Sequence, residues 1–200
     1  MKIKEIAKVC DGRKRVILVN KFGNEEEGTP FVRQFAGDGA AFYPLDGMPK
    51  LDEENILTVF DVPKDKQATW TVEEWDAAGL TQDCVWTDRH SSDTEITRSG
   101  ITLCGDGGGE IEPIYTPWGL LFIAIKYLRP LKDAGWELRY FARKLEGAEQ
   151  PVLIAKLGMM AIASVFGTNA LCHNKDRAEL LGDVGKTVME RFKKWEEENP

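Results

Sequence analysis

Four carboxylates stand beside glycine turns: Asp38 between Gly37 and Gly39, Asp106 within Gly105-Asp106-Gly107-Gly108-Gly109, and Glu110 and Glu112 just after that cluster. Clustered carboxylates can hold a hard divalent cation or move a proton, so their assembly would give a metal-dependent hydrolase or nuclease-like enzyme. The glycine run around Asp106 and Gly107 also offers a close backbone approach or an anion-binding nest. No helix follows it, and a flexible hairpin tip with solvated acids is the plainer reading.

Gly182-Asp183-Val184-Gly185-Lys186-Thr187 ends like a phosphate-binding loop, in which backbone N–H groups and a lysine face the phosphates. The first glycine of that motif falls on Leu180, and a helix interior explains the segment. Cys10, Cys84, Cys104 and Cys172 form no C-x-x-C pair, and His90 and His173 stand far apart. This spacing repeats no zinc site, redox pair or nucleophile–base dyad, so no catalytic residue, metal ligand or cofactor is assigned.

Trp70, Trp75 and Trp86 lie in the most polar third of the chain, among Glu73, Glu74, Asp76 and Asp88. Large aromatics in such a region either anchor an irregular lobe or are presented to a partner, where tryptophan concentrates binding energy. A nucleobase can also stack on them. Together with Asp106 and Gly107 they form the expected ligand- or partner-binding set. Lys2, Lys4, Lys8, Arg13, Lys14 and Arg15 make the densest basic patch, read as the solvated face of a short helix and turn or, less favoured, as a nucleic-acid contact.

The elements that must position these residues follow from composition and periodicity. The chain has 200 residues, 42% of them hydrophobic, which suits one domain with a single core. Its 26 basic against 33 acidic residues give a formal charge of −7, which disfavours extended nucleic-acid binding. No apolar run approaches the roughly 20 residues of a membrane span. MKIKEIAKVC lacks a signal-peptide pattern, so a cytoplasmic protein with free thiols is expected.

Residues 3–10 read as an amphipathic helix ended by Asp11-Gly12, and 15–19 as a buried strand. Residues 31–36 and 40–43 read as a hairpin around Gly37-Asp38-Gly39, and a short helix opens near Asp52 and stops before Pro63. Residues 64–99 read as a polar, Trp-containing insertion or lobe, with a helical turn at 72–78 capped by Thr71 and Glu74 and an exposed loop at 87–99. Strands are expected at 100–104, 111–115, 120–125, 136–143 and 152–156, while 157–166 is either buried helix or central strand. Leu180, Val184, Val188 and Phe192 mark a C-terminal amphipathic helix. The fold class is α+β: a single domain, 1–200, on a largely antiparallel sheet with the C-terminal helix packed against it.

Three segments, Phe31 to Leu45, Leu51 to Pro63 and Gly119 to Leu131, resemble an uncharacterised family of hypothetical proteins from prophages and mobile elements of Firmicutes. The resemblance implies a setting, a phage-derived protein in the bacterial cytoplasm, and no residue roles. The leading expectation is a non-enzymatic accessory protein that binds a host protein or a small nucleotide signal and counters host defence. The alternatives are the carboxylate-based hydrolase and a phage structural or assembly protein forming a homo-oligomer. On the leading view, replacing Trp70, Trp75 and Trp86 together abolishes binding and leaves the fold intact.

Overall fold

Val16-Ile17-Leu18-Val19 has no polar/apolar alternation, the pattern of a strand covered on both faces. In the computed structural model, which describes residues 3–22, 32–77, 83–104, 109–168, 183, 185–191, 193, 194 and 197, all four are fully buried. They lie on β1 (Arg15–Phe22), inside an eight-stranded sheet. Its other strands are β2 (Val32–Gly37), β3 (Ala41–Pro44), β4 (Thr71–Asp76), β5 (Thr94–Ile96), β9 (Leu138–Arg143), β10 (Val152–Leu157) and β11 (Met160–Phe166). The order is β4-β1-β2-β3-β11-β10-β9-β5, and every pairing is antiparallel except β1 with β4. A smaller antiparallel sheet joins β6 (Leu103–Cys104), β7 (Glu110–Thr116) and β8 (Gly119–Ala124).

Side chains alternate across the large sheet and divide the core in two. Val16, Leu18, Ala36, Tyr43, Leu153 and Val165 share one cluster with Ile6, Val9 and Cys10 of α1 (Ile3–Asp11). Ile114, Leu121 and Ile123 of the small sheet join it, as do Tyr127, Leu128 and Leu131 of a 3-10 segment, Ile125–Leu131. Ile17, Val19, Phe35, Phe42, Val152 and Ile154 point the other way, onto Val85 and Trp86. Each fully buried aliphatic side chain contributes roughly 1.5–3 kcal/mol relative to exposure. The two clusters therefore dominate the stability.

The fold is the expected α+β one, with a mostly antiparallel sheet and a C-terminal helix. That helix, α4, includes 185–191; Val188 is buried, and a Cβ on Gly185 would lie 3.0 Å from Leu120, so the two elements pack closely. Leu180, Val184 and Phe192 lie outside the described residues. No helix among the described residues is long and apolar enough to cross a membrane.

Several local readings change. Residues 71–76 form β4 rather than a helical turn, because the free side of β1 offers a full ladder: Arg15 pairs with Thr71 through to Asn20 with Asp76. Glu74, expected to cap a helix, and its neighbour Glu73 find partners across the ladder instead. Arg15 donates to both Glu73 oxygens at 2.9 and 3.1 Å, and Asn20 Nδ2 donates to Glu74 at 3.4 Å. Within 157–166, Leu157 ends β10 and Met160–Phe166 forms β11, in a hairpin whose turn uses Gly158 at φ 59°. The helix after Asp52 is only α2 (Ile56–Val59), with α3 (Lys64–Gln67) following Pro63.

Residues 87–99 are not a free loop: they carry β5 and a buried ion cluster. Arg143, fully buried, donates to Asp93 at 2.6 and 2.8 Å, and Lys156 Nζ donates to the same carboxylate at 2.7 Å. Segment 64–99 thus supplies both edge strands of the large sheet. Burial would raise the Asp93 pKa, but the hydrogen bonds from Arg143 and Lys156 outweigh it and leave it below the ordinary aspartate range. At Asp88 burial is likewise outweighed by donors, the Arg33 guanidinium and the Ala161 N–H, and the pKa is lowered. A carboxyl more acidic in the folded than the unfolded chain stabilises above its unfolded value of about 3.9 and loses that contribution as pH falls through the folded value.

The urea midpoint is therefore expected to hold near neutrality and fall below about pH 4. Asp93→Asn should lower it at pH 7 by about 3–5 kcal/mol of stability, since it strands two buried cations. A wild-type midpoint that stays flat through the acid range would contradict this assignment.

Candidate functional site

The apolar stripe of α1, Ile6, Val9 and Cys10, is buried, which turns Lys4 and Lys8 outward. The helix ends at Asp11, and a tight turn follows, with Arg13 N–H donating to Cys10 O at 3.1 Å and Lys14 N–H to Asp11 O at 3.2 Å. Lys14 adopts a left-handed conformation, φ 50°, and its carbonyl accepts the first β4 hydrogen bond, from Thr71 N–H at 2.8 Å. This places Trp70 beside the turn, with the Lys14 ammonium 5.2 Å from its ring centroid.

A groove of about 460 Å³ opens there between α1 and residues 60–70. Its apolar surface comes from Ala7, Phe60, Val62, Pro63 and the half-buried Trp70. Its charge comes from Lys4, Lys8, Lys14 and Lys66, against Asp11 and Asp61. Lys4 pairs with Asp61 at 3.1 Å, Lys8 with Glu5 at 2.6 Å, and Lys14 with Asp11; Lys66 has no ion-pair partner among the described residues. Exposed pairs of this kind are worth 0–1 kcal/mol, so a ligand phosphate can replace the acids at little cost. The chemistry is that of an anion receptor with an aromatic wall.

The β2–β3 turn buries Asp38 completely. Its Oδ1 accepts the Ala40 and Ala41 N–H groups at 2.9 and 3.3 Å, and its Oδ2 accepts the Tyr127 hydroxyl at 2.9 Å. Tyr43 in turn donates to the Tyr127 carbonyl at 2.6 Å. Burial first, and Asp38 second, raises the pKa of Tyr43, Tyr127 and Cys10, so all three stay neutral and serve as packing or donor groups rather than nucleophiles. Gly37 is required at this turn, because a Cβ would lie 1.8 Å from the Ala41 carbonyl oxygen.

A larger cleft, about 560 Å³, lies between Arg33, Met48 and Trp86. Its central charge is already spent. Arg33 donates to Asp46 at 3.1 and 3.0 Å, to Asp88 at 2.8 Å and to the Ala161 carbonyl at 3.0 Å, clamping four segments together. It is a structural staple.

The structure separates the expected binding residues. Trp70 lines the lysine groove. Trp75 leans on Phe42, with ring centroids 6.5 Å apart, and donates to Glu73 at 3.1 Å. Trp86 is in the core, edge-on to Phe42 at 4.9 Å, with a buried indole N–H that has no hydrogen-bond partner among the described residues. Asp106 and Gly107 lie outside the described residues. The three described carboxylates of the expected set each have partners of their own: Asp38 is held as above, Glu110 pairs with Arg129 at 3.7 Å, and the buried Glu112 accepts Arg98 Nε at 2.9 Å and Gly100 N–H at 3.0 Å. Among the described residues no three His, Cys, Asp or Glu are grouped to hold a metal ion. Lys66 and Phe60 are the groove residues that sequence reasoning missed, since only the chain reversal after α2 brings them to α1. Trp136, 92% exposed, was also passed over, and it stands apart from the groove lining.

The chain matches no protein-family model, no curated protein and no solved structure. The site is therefore read from its own geometry.

Because Trp86 is core, the triple tryptophan replacement expected to spare the fold will not do so. Trp86→Ala alone should cost about 3–5 kcal/mol in denaturant unfolding. Trp70→Ala, at a half-buried groove wall, should cost less than half of that. Equal losses at the two positions would refute the assignment of Trp70 to a surface groove.

Proposed function

We propose that this chain is a non-enzymatic binding protein that captures a small nucleotide in the groove between α1 and Trp70. One observation carries the reading: the basic face of α1 and an aromatic ring, separated by more than fifty residues in sequence, line the same groove with a fourth lysine, Lys66. The base stacks on the Trp70 indole, and Lys4, Lys8 and Lys66 receive the phosphate. Lys14, now over the ring, moves aside to the phosphate when the base arrives. Stacking on an aromatic side chain is worth about 1–3 kcal/mol per base, and it tolerates different bases. The groove volume lies within the usual range for small-molecule sites, about 300–1,000 Å³.

The resemblance to prophage proteins supports a setting in the bacterial cytoplasm, where capture of a nucleotide signal would act as an accessory function against host defence. A host protein is the other partner class considered, and the size of the groove favours the nucleotide.

Isothermal titration with adenosine and guanosine monophosphates tests this. Binding is expected at low salt, weakened about fivefold or more by Trp70→Ala, as loss of at least about 1 kcal/mol requires, and again by Lys66→Glu. Binding that survives both substitutions unchanged would place the ligand elsewhere.

A further inference from the structure

We infer that a second groove, between the 3-10 segment and β9, is a docking site for an acidic peptide segment of a protein partner that carries one apolar side chain. It shares no lining residue with the α1–Trp70 groove.

A 3-10 helix repeats every three residues, so side chains three apart stand in line. In Ile125–Leu131 that period puts Ile125, Leu128 and Leu131 in one row. A bond from Lys132 N–H to the Arg129 carbonyl, 3.1 Å, carries the winding one residue further and sets Arg129 and Lys132 in the adjoining row. Leu138 and Tyr140, two apart on β9, share one face of that strand. These residues and Arg98 line a groove of about 310 Å³. Leu128 and Leu131 are buried and Ile125 and Leu138 half-buried, whereas Arg98, Arg129 and Lys132 are exposed. The floor is therefore aliphatic and the rim cationic, the plan of a protein-binding patch with an apolar centre and a polar edge.

No Asp or Glu lines this groove among the described residues. Arg98 is held by the buried Glu112, and Arg129 meets Glu110 only at 3.7 Å, with both side chains more than half exposed. Lys132 has no ion-pair partner among the described residues. Three cations are thus matched by two carboxylates, and an exposed pair as loose as Arg129 with Glu110 exchanges its partner readily. The complementary ligand presents carboxylates to Arg129 and Lys132 and an apolar side chain to the leucines. A nucleic acid fits less well: the Arg98 guanidinium already stands over the Tyr140 ring, 5.7 Å from its centroid, which leaves an aliphatic floor for a base. The volume, at the lower end of the small-molecule range of about 300–1,000 Å³, suits one side chain of a longer partner.

Fluorescence anisotropy of a fluorescein-labelled peptide, one leucine flanked by two glutamates on each side, tests the groove at low salt. Binding is expected, and it should be weakened about tenfold or more in the Arg129→Glu/Lys132→Glu variant, because like charges then meet. Both positions are exposed, so that variant should keep the wild-type thermal midpoint. The Arg129→Lys/Lys132→Arg variant should retain the affinity, and so should Lys66→Glu, which alters the other groove. Exchanging the glutamates for glutamines, or the leucine for serine, should each weaken binding to a similar extent. Binding that survives the charge reversal, equal affinity for either altered peptide, or loss of binding in Lys66→Glu would overturn the site. So would tetra-thymidylate binding as tightly and being lost with the same two cations, which would make the groove a nucleic-acid contact. Absence of any anisotropy change would overturn the docking site and leave the nucleotide reading of the α1–Trp70 groove standing.

Discussion

Asp38 is a carboxylate with no solvent contact at the tip of the β2–β3 hairpin, and a buried carboxylate must be supplied with donors or it costs several kcal/mol. Two backbone N–H groups of its own turn and the Tyr127 hydroxyl meet that need. The hairpin is thereby fixed, and with it the 3-10 segment that carries Tyr127. Because α1 packs between that segment and the sheet, the position of the helix, and of the turn that leads from it to β1, follows from the same carboxylate. The groove is a consequence of where that turn sits.

The remaining charges sort by burial. Deep ones hold segments together: Arg33 ties Asp46 and Asp88 to the start of β11, Arg143 and Lys156 enclose Asp93, and Arg98 covers Glu112. Most of these links run through residues 86–98, so a stretch of polar composition is fastened by ionic hydrogen bonds as well as by the buried Trp86 and Ile96. The exposed charges are different. Around α1 they form loose pairs on a lysine-rich face, where solvent screening makes each partner exchangeable. A ligand competes with weak pairs there, whereas at Arg33 it would have to break a network of four hydrogen bonds.

Much of the architecture was legible in the sequence because its signals are local. Continuous apolar runs marked β1 and β10, Gly37-Asp38-Gly39 marked a hairpin whose Gly37 has no room for a side chain, and the lysine-and-isoleucine spacing of residues 3–10 marked α1. Residues 71–76 read as a helical turn because a capping-box pattern is satisfied by two residues three positions apart, while the unpaired edge of β1 that makes them a strand lies more than fifty residues away. The same limit governs the site. Trp70 and the basic N-terminal patch were each visible, but their meeting depends on the reversal between α2 and β4. Trp86, set among acids in sequence, went to the core because Phe35 and Phe42 form an aromatic pocket beneath it.

An amide NMR titration of the labelled protein with adenosine monophosphate tests the groove most directly, since it maps contact without assuming where the ligand goes. Shift changes are predicted for residues 4–14 and 60–70 and for the Trp70 indole N–H, with the Trp86 indole unmoved. Shifts centred on Arg33, Met48 and Trp86, or none at any concentration, would contradict the assignment of the α1–Trp70 groove as the binding site.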